Sequence, residues 1–389
     1  MKQLKSLNRD EALSLLPDDI PHEITAEDEQ RFAEVVSTRL DADQIARVVH
    51  PEDVYLKERS VLAVHWHPEF VPMDLIMQRV DAMFPGRTSD LIIPTQHNDI
   101  MGCDNSDYKG VEVDCYARAF NQKVQLLIHG RNEVMDRADV LRSMIAYTFK
   151  YRASQLFDFI HTITGPDEDR LEQASRATGA DRKLIDFVQA YVKKIRYILE
   201  RDLDDLPPDV VKNKLLRNFF DSLRPVYGHG LINRAQAFLT AVKQIVKQHF
   251  PAQYFYRTSE IIEEARAIGA CIVIPHPEQF WPVLLADYDI DGIEVWNPQS
   301  QQYTEFLIEV IDKMNNRIGM SQRPILVFMG DDTHMGEKVK DPAVQDSKKA
   351  GREIGLQPAW TDYRINKKLI ITKMHKDGVI AEYKARLAG

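Results

Sequence analysis

Six histidines and two carboxylates of this chain stand at corresponding places, each within or just beyond a short apolar run. Val61–Val64 leads into His65-Trp-His67, Leu91–Pro94 is followed by His97, and Val111–Cys115 contains Glu112. Val124–Ile128 ends at His129, Cys271–Ile274 is followed by His276-Pro-Glu278, and Ile325–Met329 leads into Gly330-Asp-Asp332-Thr-His334. An HxH at an extended strand end spaces two imidazoles about 7 Å apart. A local break in the strand bends them together onto two positions of one metal ion. One histidine on an apolar run is more often a satisfied core residue, but the joint pattern differs. Eight imidazole and carboxylate groups exceed the four ligands of one tetrahedral ion, and a set without thiolate suits zinc, manganese or iron. The pattern therefore predicts a hydrolytic centre of two or three divalent metal ions, with Glu112 or Asp332 as the bridge. Such a centre lowers the pKa of bound water from about 15.7 towards about 7 and clamps the attacking and leaving oxygens of a displacement.

The runs that position these groups number seven once Gly292–Trp296 is included. Short, β-branched and separated mostly by helical stretches, they predict parallel strands buried on both faces, as in a barrel or a doubly wound sheet. The connection between the third and fourth runs, around Asn121-Gln-Lys123, has no room for a crossover helix. In a parallel barrel the carboxyl ends of all strands share the face on which such enzymes build their sites.

Residues 1–60 read as an acidic helical N-terminal flank, with eight Lys/Arg against fourteen Asp/Glu and a capped amphipathic helix starting at Thr25-Ala-Glu-Asp28. Residues 131–262 read as a helical insertion, punctuated by Gly165-Pro166, Pro207-Pro208 and Gly228-His-Gly230. Its stretch 181–250 carries thirteen Lys/Arg and eight Asp/Glu, either solvated helix faces or a surface for an anionic substrate or partner. Residues 337–389 form a small C-terminal appendage, mildly basic from Trp360 onward.

A formal charge of −9 over 389 residues argues against a general nucleic-acid coat, though it leaves room for a local basic surface. Three cysteines, Cys103, Cys115 and Cys271, make no disulfide framework and favour a reducing, cytoplasmic setting. The start, Met1 to Asp10, lacks the apolar stretch of a secretory signal, and no apolar run approaches the roughly 18 residues of a membrane span. Neither a GxSxG elbow, a P-loop nor a GxGxxG after a strand is present, so serine-hydrolase, NTPase and dinucleotide readings lack support.

Seven stretches together resemble the PHP (polymerase and histidinol phosphatase) superfamily. They are His65-Trp-His67, Ile93-Pro-Thr-Gln-His97-Asn-Asp99, Gly110-Val-Glu112-Val, Leu127-Ile-His129-Gly130, Ile274-Pro-His276-Pro, Asp291-Gly-Ile-Glu294-Val-Trp-Asn297 and Gly330-Asp-Asp332-Thr-His334. The resemblance covers 61–130 and 263–336, in the family's order. It implies an α/β fold, a distorted (β/α)7 TIM-like barrel in two parts, and hydrolysis of a phosphomonoester or nucleotide-like phosphodiester by a metal-bound hydroxide. Carried over by position, His65, His67, Glu112 and Asp332 would hold one ion, Glu112, His129 and His276 a second, and His97 and His334 a third. Asp332 and His334 would also take catalytic places. The family's additional third-ion ligand is replaced by Val71-Pro-Met73, leaving Glu69 as a substitute, and Gln96 replaces the usual Asp before His97. Arg131 and Asn297 are candidates to bind the substrate phosphate, Arg131 bidentately if it is not a surface ion pair. Arg118 and Lys338 are further candidates of the same kind.

Two rival readings remain open. Amidohydrolase barrels, which cleave C–N bonds, also begin with HxH and end with an Asp after the last strand. Glu112 followed by His129, and the absence of a strand-end Lys for a carbamylated bridge, favour the PHP pattern. A non-catalytic scaffold would instead use the basic insertion to bind an anionic partner such as nucleic acid.

Overall fold

A computed structural model of the chain describes residues 23–104, 106–250, 254–317, 323–342 and 345–389. The first 22 residues, including the charged start, lie outside the described residues. The chain divides into two compact units, Met1–Thr38 with Phe149–Pro251, and Arg39–Thr148 with Ala252–Gly389.

The second unit carries the strands: β1 (Ser60–Ala63), β2 (Trp66–His67), β3 (Ser89–Ile92), β4 (Met101–Gly102), β5 (Tyr108–Ala117), β6 (Gln122–Arg131), β7 (Cys271–Ile274), β8 (Gly292–Trp296), β9 (Leu326–Met329) and β10 (Thr333–His334). All seven apolar runs are strands. They do so because their side chains are buried on both faces: Leu62 and Val64 enter one hydrophobic cluster, Val61 and Ala63 another. Each buried Val, Ile or Leu contributes about 1.5–3 kcal/mol.

The pairing is mixed rather than mainly parallel. β1 pairs with β3 and β2 with β10, both parallel. The larger sheet has the order β4-β5-β6-β7-β8-β9, in which β7, β8 and β9 are parallel. β6 runs antiparallel to both β5 and β7. The short turn through Arg118–Phe120 and left-handed Asn121 closes the β5–β6 hairpin, as the missing crossover helix predicted. Each tether then fixes part of a site. The β2–β10 register sets His67 opposite His334, and an isolated bridge joins His97 to Glu112. The last helix, Lys376–Ala388, buries Val379, Ile380, Tyr383 and Leu387 in the same core as β5–β9. Cys115 and Cys271 are free thiols in that core, both pushed up to about 12 by burial.

The first unit is helical throughout its described residues, around a core that includes Phe159, Phe187, Phe219, Phe220 and Phe238. Its first helix, Ala26–Val36, starts with the predicted Thr25/Asp28 capping box. Asp28 also accepts from buried Lys194 at 2.6 Å, tying that helix to Arg182–Asp202. Removing one partner strands a buried charge, so Lys194→Ala should lower unfolding stability by about 3 kcal/mol. Urea denaturation checks this, and Asp28→Asn with Lys194→Met should recover most of the loss. No helix among the described residues is long and apolar enough to cross a membrane.

Candidate metal centre

The alternation of β2 turns Trp66 into a core with Val61, Ala63 and Ile76, and His65 and His67 the other way. There they meet Glu112 from the middle of β5. Glu112 Oε1 lies 3.9 Å from His65 Nε2 and 3.6 Å from His276 Nε2. Its Oε2 lies 3.7 Å from His67 Nε2 and contacts His97 Nδ1. Asp332 Oδ1 faces three imidazoles: His65 Nε2 at 3.7 Å, His67 Nε2 at 3.4 Å and His334 Nε2 at 3.5 Å. Three overlapping groups result, His65/Glu112/His276, His65/His67/Asp332 and His67/His97/His334, each with ligand atoms within 4.8 Å of one another. His65, His67, Glu112 and His276 are buried, while the side chains of His97 and His334 keep 30% and 23% exposure, so the cluster opens on their side.

The donor atoms fit divalent cations. Buried polar atoms are normally hydrogen-bonded, and each one left without a partner costs about 1–3 kcal/mol. Here His65 Nε2, both nitrogens of His67, His97 Nδ1, both oxygens of Glu112 and His276 Nδ1 are buried without a hydrogen-bond partner. Two ligands on one tetrahedral ion at bond lengths near 2.1 Å stand about 3.4 Å apart, close to the spacings found here. The electrostatics agree. Burial would raise Glu112, but His97, His276 and His67 hold its carboxyl well below the usual range. Asp332 is held down against burial by His334, His67 and His65. Burial lowers His65, yet Glu294, Asp332 and Glu112 bring it up to about 10. His67, buried and flanked by His97 and His334, is held down to about 3. The acids stay ionised, so a divalent cation and protons compete for the same imidazole lone pairs.

Supporting residues aim these donors. His65 Nδ1 donates to Glu294 Oε1 on β8 at 3.0 Å, which leaves Nε2 facing the cluster. Glu294 Oε2 accepts from the His276 backbone N–H at 2.6 Å. Gly330 makes this possible, since a Cβ there would lie 1.0 Å from Glu294 Oε1. Arg352 donates to Asp332 Oδ2 at 2.6 Å and to its carbonyl at 2.9 Å, and Gln299 donates to the same Oδ2 at 3.1 Å. His276 and Asp332 both have left-handed backbones, φ 27° and 47°, a strain kept where the surroundings over-determine it. In the sequence Glu294 has no evident task, Gln299 is a neutral amide that does not stand out three residues past the Gly292–Trp296 run, and Arg352 follows no apolar run.

His129 is a correction to the expected ligand set. Its Nε2 donates to the Val64 carbonyl at 3.0 Å and its Nδ1 accepts from Tyr383 Oη at 2.8 Å, so no ring nitrogen is left for a metal. Strand direction is the reason: β6 is reversed, and His129 pairs with Cys271 at the start of β7, whereas His276 follows that strand's end. Burial then holds His129 down to about 3.

Arg131 is exposed and forms no hydrogen bond or ion pair with a cluster residue among those described. Asn297 is buried, donating to Glu278 at 3.2 Å and accepting from the Gln299 N–H at 2.8 Å, which orders the residue that reaches Asp332. Lys338 is spent on Glu353 and the Ala350 carbonyl. Glu69 Oε1 stands 3.3 Å from His334 Nδ1, beside the third group, and its N–H donates to Gln96 Oε1 at 3.3 Å.

No protein-family model matches the chain, and no curated protein does. Among solved structures, a proposed metal-dependent phosphoesterase from Bifidobacterium adolescentis is similar over 82% of this chain and 98% of its own, with 16% identity and a TM-score of 0.42.

Proposed function

We propose that this chain is a metal-dependent phosphoric ester hydrolase of the PHP type. On this reading the strands form the family's distorted barrel, and the substrate is a phosphomonoester or nucleotide-like phosphodiester. Glu112 carries the reading: it is a buried carboxylate whose two oxygens face different imidazole sets, Oε1 towards His65 and His276 and Oε2 towards His67 and His97, and it would be the natural residue to hold two neighbouring ions. Two or three divalent ions held by His65, His67, His97, Glu112, His276, Asp332 and His334 would supply positive charge for the phosphoryl oxygens and lower the pKa of water towards neutrality. Glu112 and Asp332 orient by charge, with Arg352 and Gln299 fixing the outer oxygen of Asp332. On the open side His334, with Glu69 and Asp332 beside its two nitrogens, would be the group to pass a proton to a departing alkoxide. The free, buried thiols are in keeping with a reducing, cytoplasmic setting.

Metal analysis of the purified protein, with assays on model phosphate esters in Mn, Zn or Fe, tests the proposal. Two or three equivalents of metal and chelator-sensitive turnover are expected. A protein without stoichiometric metal overturns it, and hydrolysis of amides with none of phosphate esters would move the reaction to C–N bonds.

A further inference from the structure

The strand-bearing unit contains a cavity of about 680 Å³, a volume typical of small-molecule sites, and none of the metal-centre donors lines it. Its wall is unusual in composition: Tyr116, Tyr147, Tyr254, Tyr256, Arg118 and Arg257. We propose that this cavity binds a nucleoside phosphate, its arginines holding the phosphate and its tyrosines stacking the base.

The arginines point to an anion from outside. Several guanidinium groups of this unit are matched to carboxylates, Arg87 to Asp81 and Asp90, Arg266 to Asp289 and Asp291, and Arg386 to Glu382. Among the described residues no carboxylate pairs with Arg118 or Arg257. Glu260, the acid in the wall, is tied up at Oε2 by the Arg257 backbone N–H at 2.7 Å. The planar guanidinium fork is suited to bidentate phosphate contact.

The rings point to a base. Tyr147 and Tyr254 keep 45% and 51% exposure beside those cations. Their frame is fixed. The Tyr116 N–H donates to the Tyr256 carbonyl at 2.8 Å, and Tyr116 Oη donates to Asn121 Oδ1 at 2.7 Å. Tyr147 meets Tyr256 edge to face with ring centroids 5.6 Å apart. Stacking on such a platform tolerates any base.

Position adds a link to the metal centre without depending on it. Glu112, Asp114 and Tyr116 alternate along one face of β5, so Tyr116 lies about 13 Å beyond Glu112. A chain of a few nucleotides could span both places, whereas a free mononucleotide would occupy the cavity alone.

Calorimetric titration of the full chain separates these cases, with adenosine monophosphate, adenosine, inorganic phosphate and a short single-stranded oligonucleotide as probes. The mononucleotide should bind at least tenfold more tightly than adenosine or phosphate. Arg118→Ala with Arg257→Ala should weaken it at least tenfold, and Tyr254→Ala about tenfold. All three positions are exposed, so the variants should fold. An oligonucleotide that binds more tightly than the mononucleotide, and loses that gain in His334→Ala, identifies a strand as the ligand. Equal affinities identify the free nucleotide. No mononucleotide binding, or binding that survives the arginine pair and disappears in His334→Ala, overturns the proposal. Because binding is read without turnover, failure here leaves the hydrolase reading standing, and the reverse also holds.

Discussion

Glu112→Gln is expected to fold, to lose at least one equivalent of bound metal, and to hydrolyse phosphate esters about a thousandfold more slowly than the parent protein. The substitution changes charge and one atom while keeping shape, so the apolar flanks Val111 and Val113 continue to hold β5 in register with β6. What it removes is specific. Oε1 faces His65 and His276, and Oε2 faces His67 and His97, so a neutral amide can offer an oxygen to only one of the two sets. Its NH2 group would be turned towards imidazole nitrogens that also need a cation. Elemental analysis of the purified variant and kcat on a model ester decide the matter. Full metal content with parental turnover would mean that the carboxylate is a core ion-pair partner and that the bridging role is wrong. The double variant His65→Ala with His67→Ala gives an independent check, since both donors go and Trp66 still anchors the strand.

The donors were legible because their chemistry is written next to their positions. A buried strand is a local pattern, and the residue just past its end has few places to go, so the sequence alone groups His65, His67, His97, Glu112, His276, Asp332 and His334, which the fold brings together. His129 shows the limit of that logic. Its apolar run looks like the others, but the strand is reversed, and the pairing partners of β6 are set by contacts with β7 more than a hundred residues away. The short connection after β5 announced one reversal; it could not announce what would meet the imidazole, which is Tyr383 from the final helix. Glu294 was visible as an acid in a strand, yet its task depends on Gly330 of the next loop leaving room for its carboxylate. The extra strands β2, β4 and β10 are two residues each, too short to produce a periodic signal. Arg352 had no signal at all, since it follows no strand and belongs to a segment whose value lies in where it returns.

That returning segment carries the second large effect. Arg352 bonds both the carboxylate and the carbonyl of Asp332, while Gly355 N and Gln357 Nε2 reach Asp331 Oδ2 at 2.9 and 3.3 Å. Burial pushes Asp331 up to about 7, while Asp332, facing the histidines, is held well below the usual carboxylate range. Arg352→Ala should therefore do two things. Stability should fall by about 3 kcal/mol, because a largely buried carboxylate loses its charged partner. The metal concentration for half-maximal activity should rise roughly ten- to hundredfold, because Asp332 Oδ1 is no longer held towards His65, His67 and His334. Arg352→Lys separates the two effects: the ammonium restores charge, and with it most of the stability, but its shorter side chain does not bring a donor to the place from which Arg352 Nη1 bonds the carboxylate and the carbonyl together. The Lys variant should then fold like the parent while still requiring more metal. If it matches the parent in metal titration as well, Arg352 is a structural cation and Asp332 is positioned by its own left-handed backbone, which Asp332 N to the His65 carbonyl at 3.0 Å would have to hold without help.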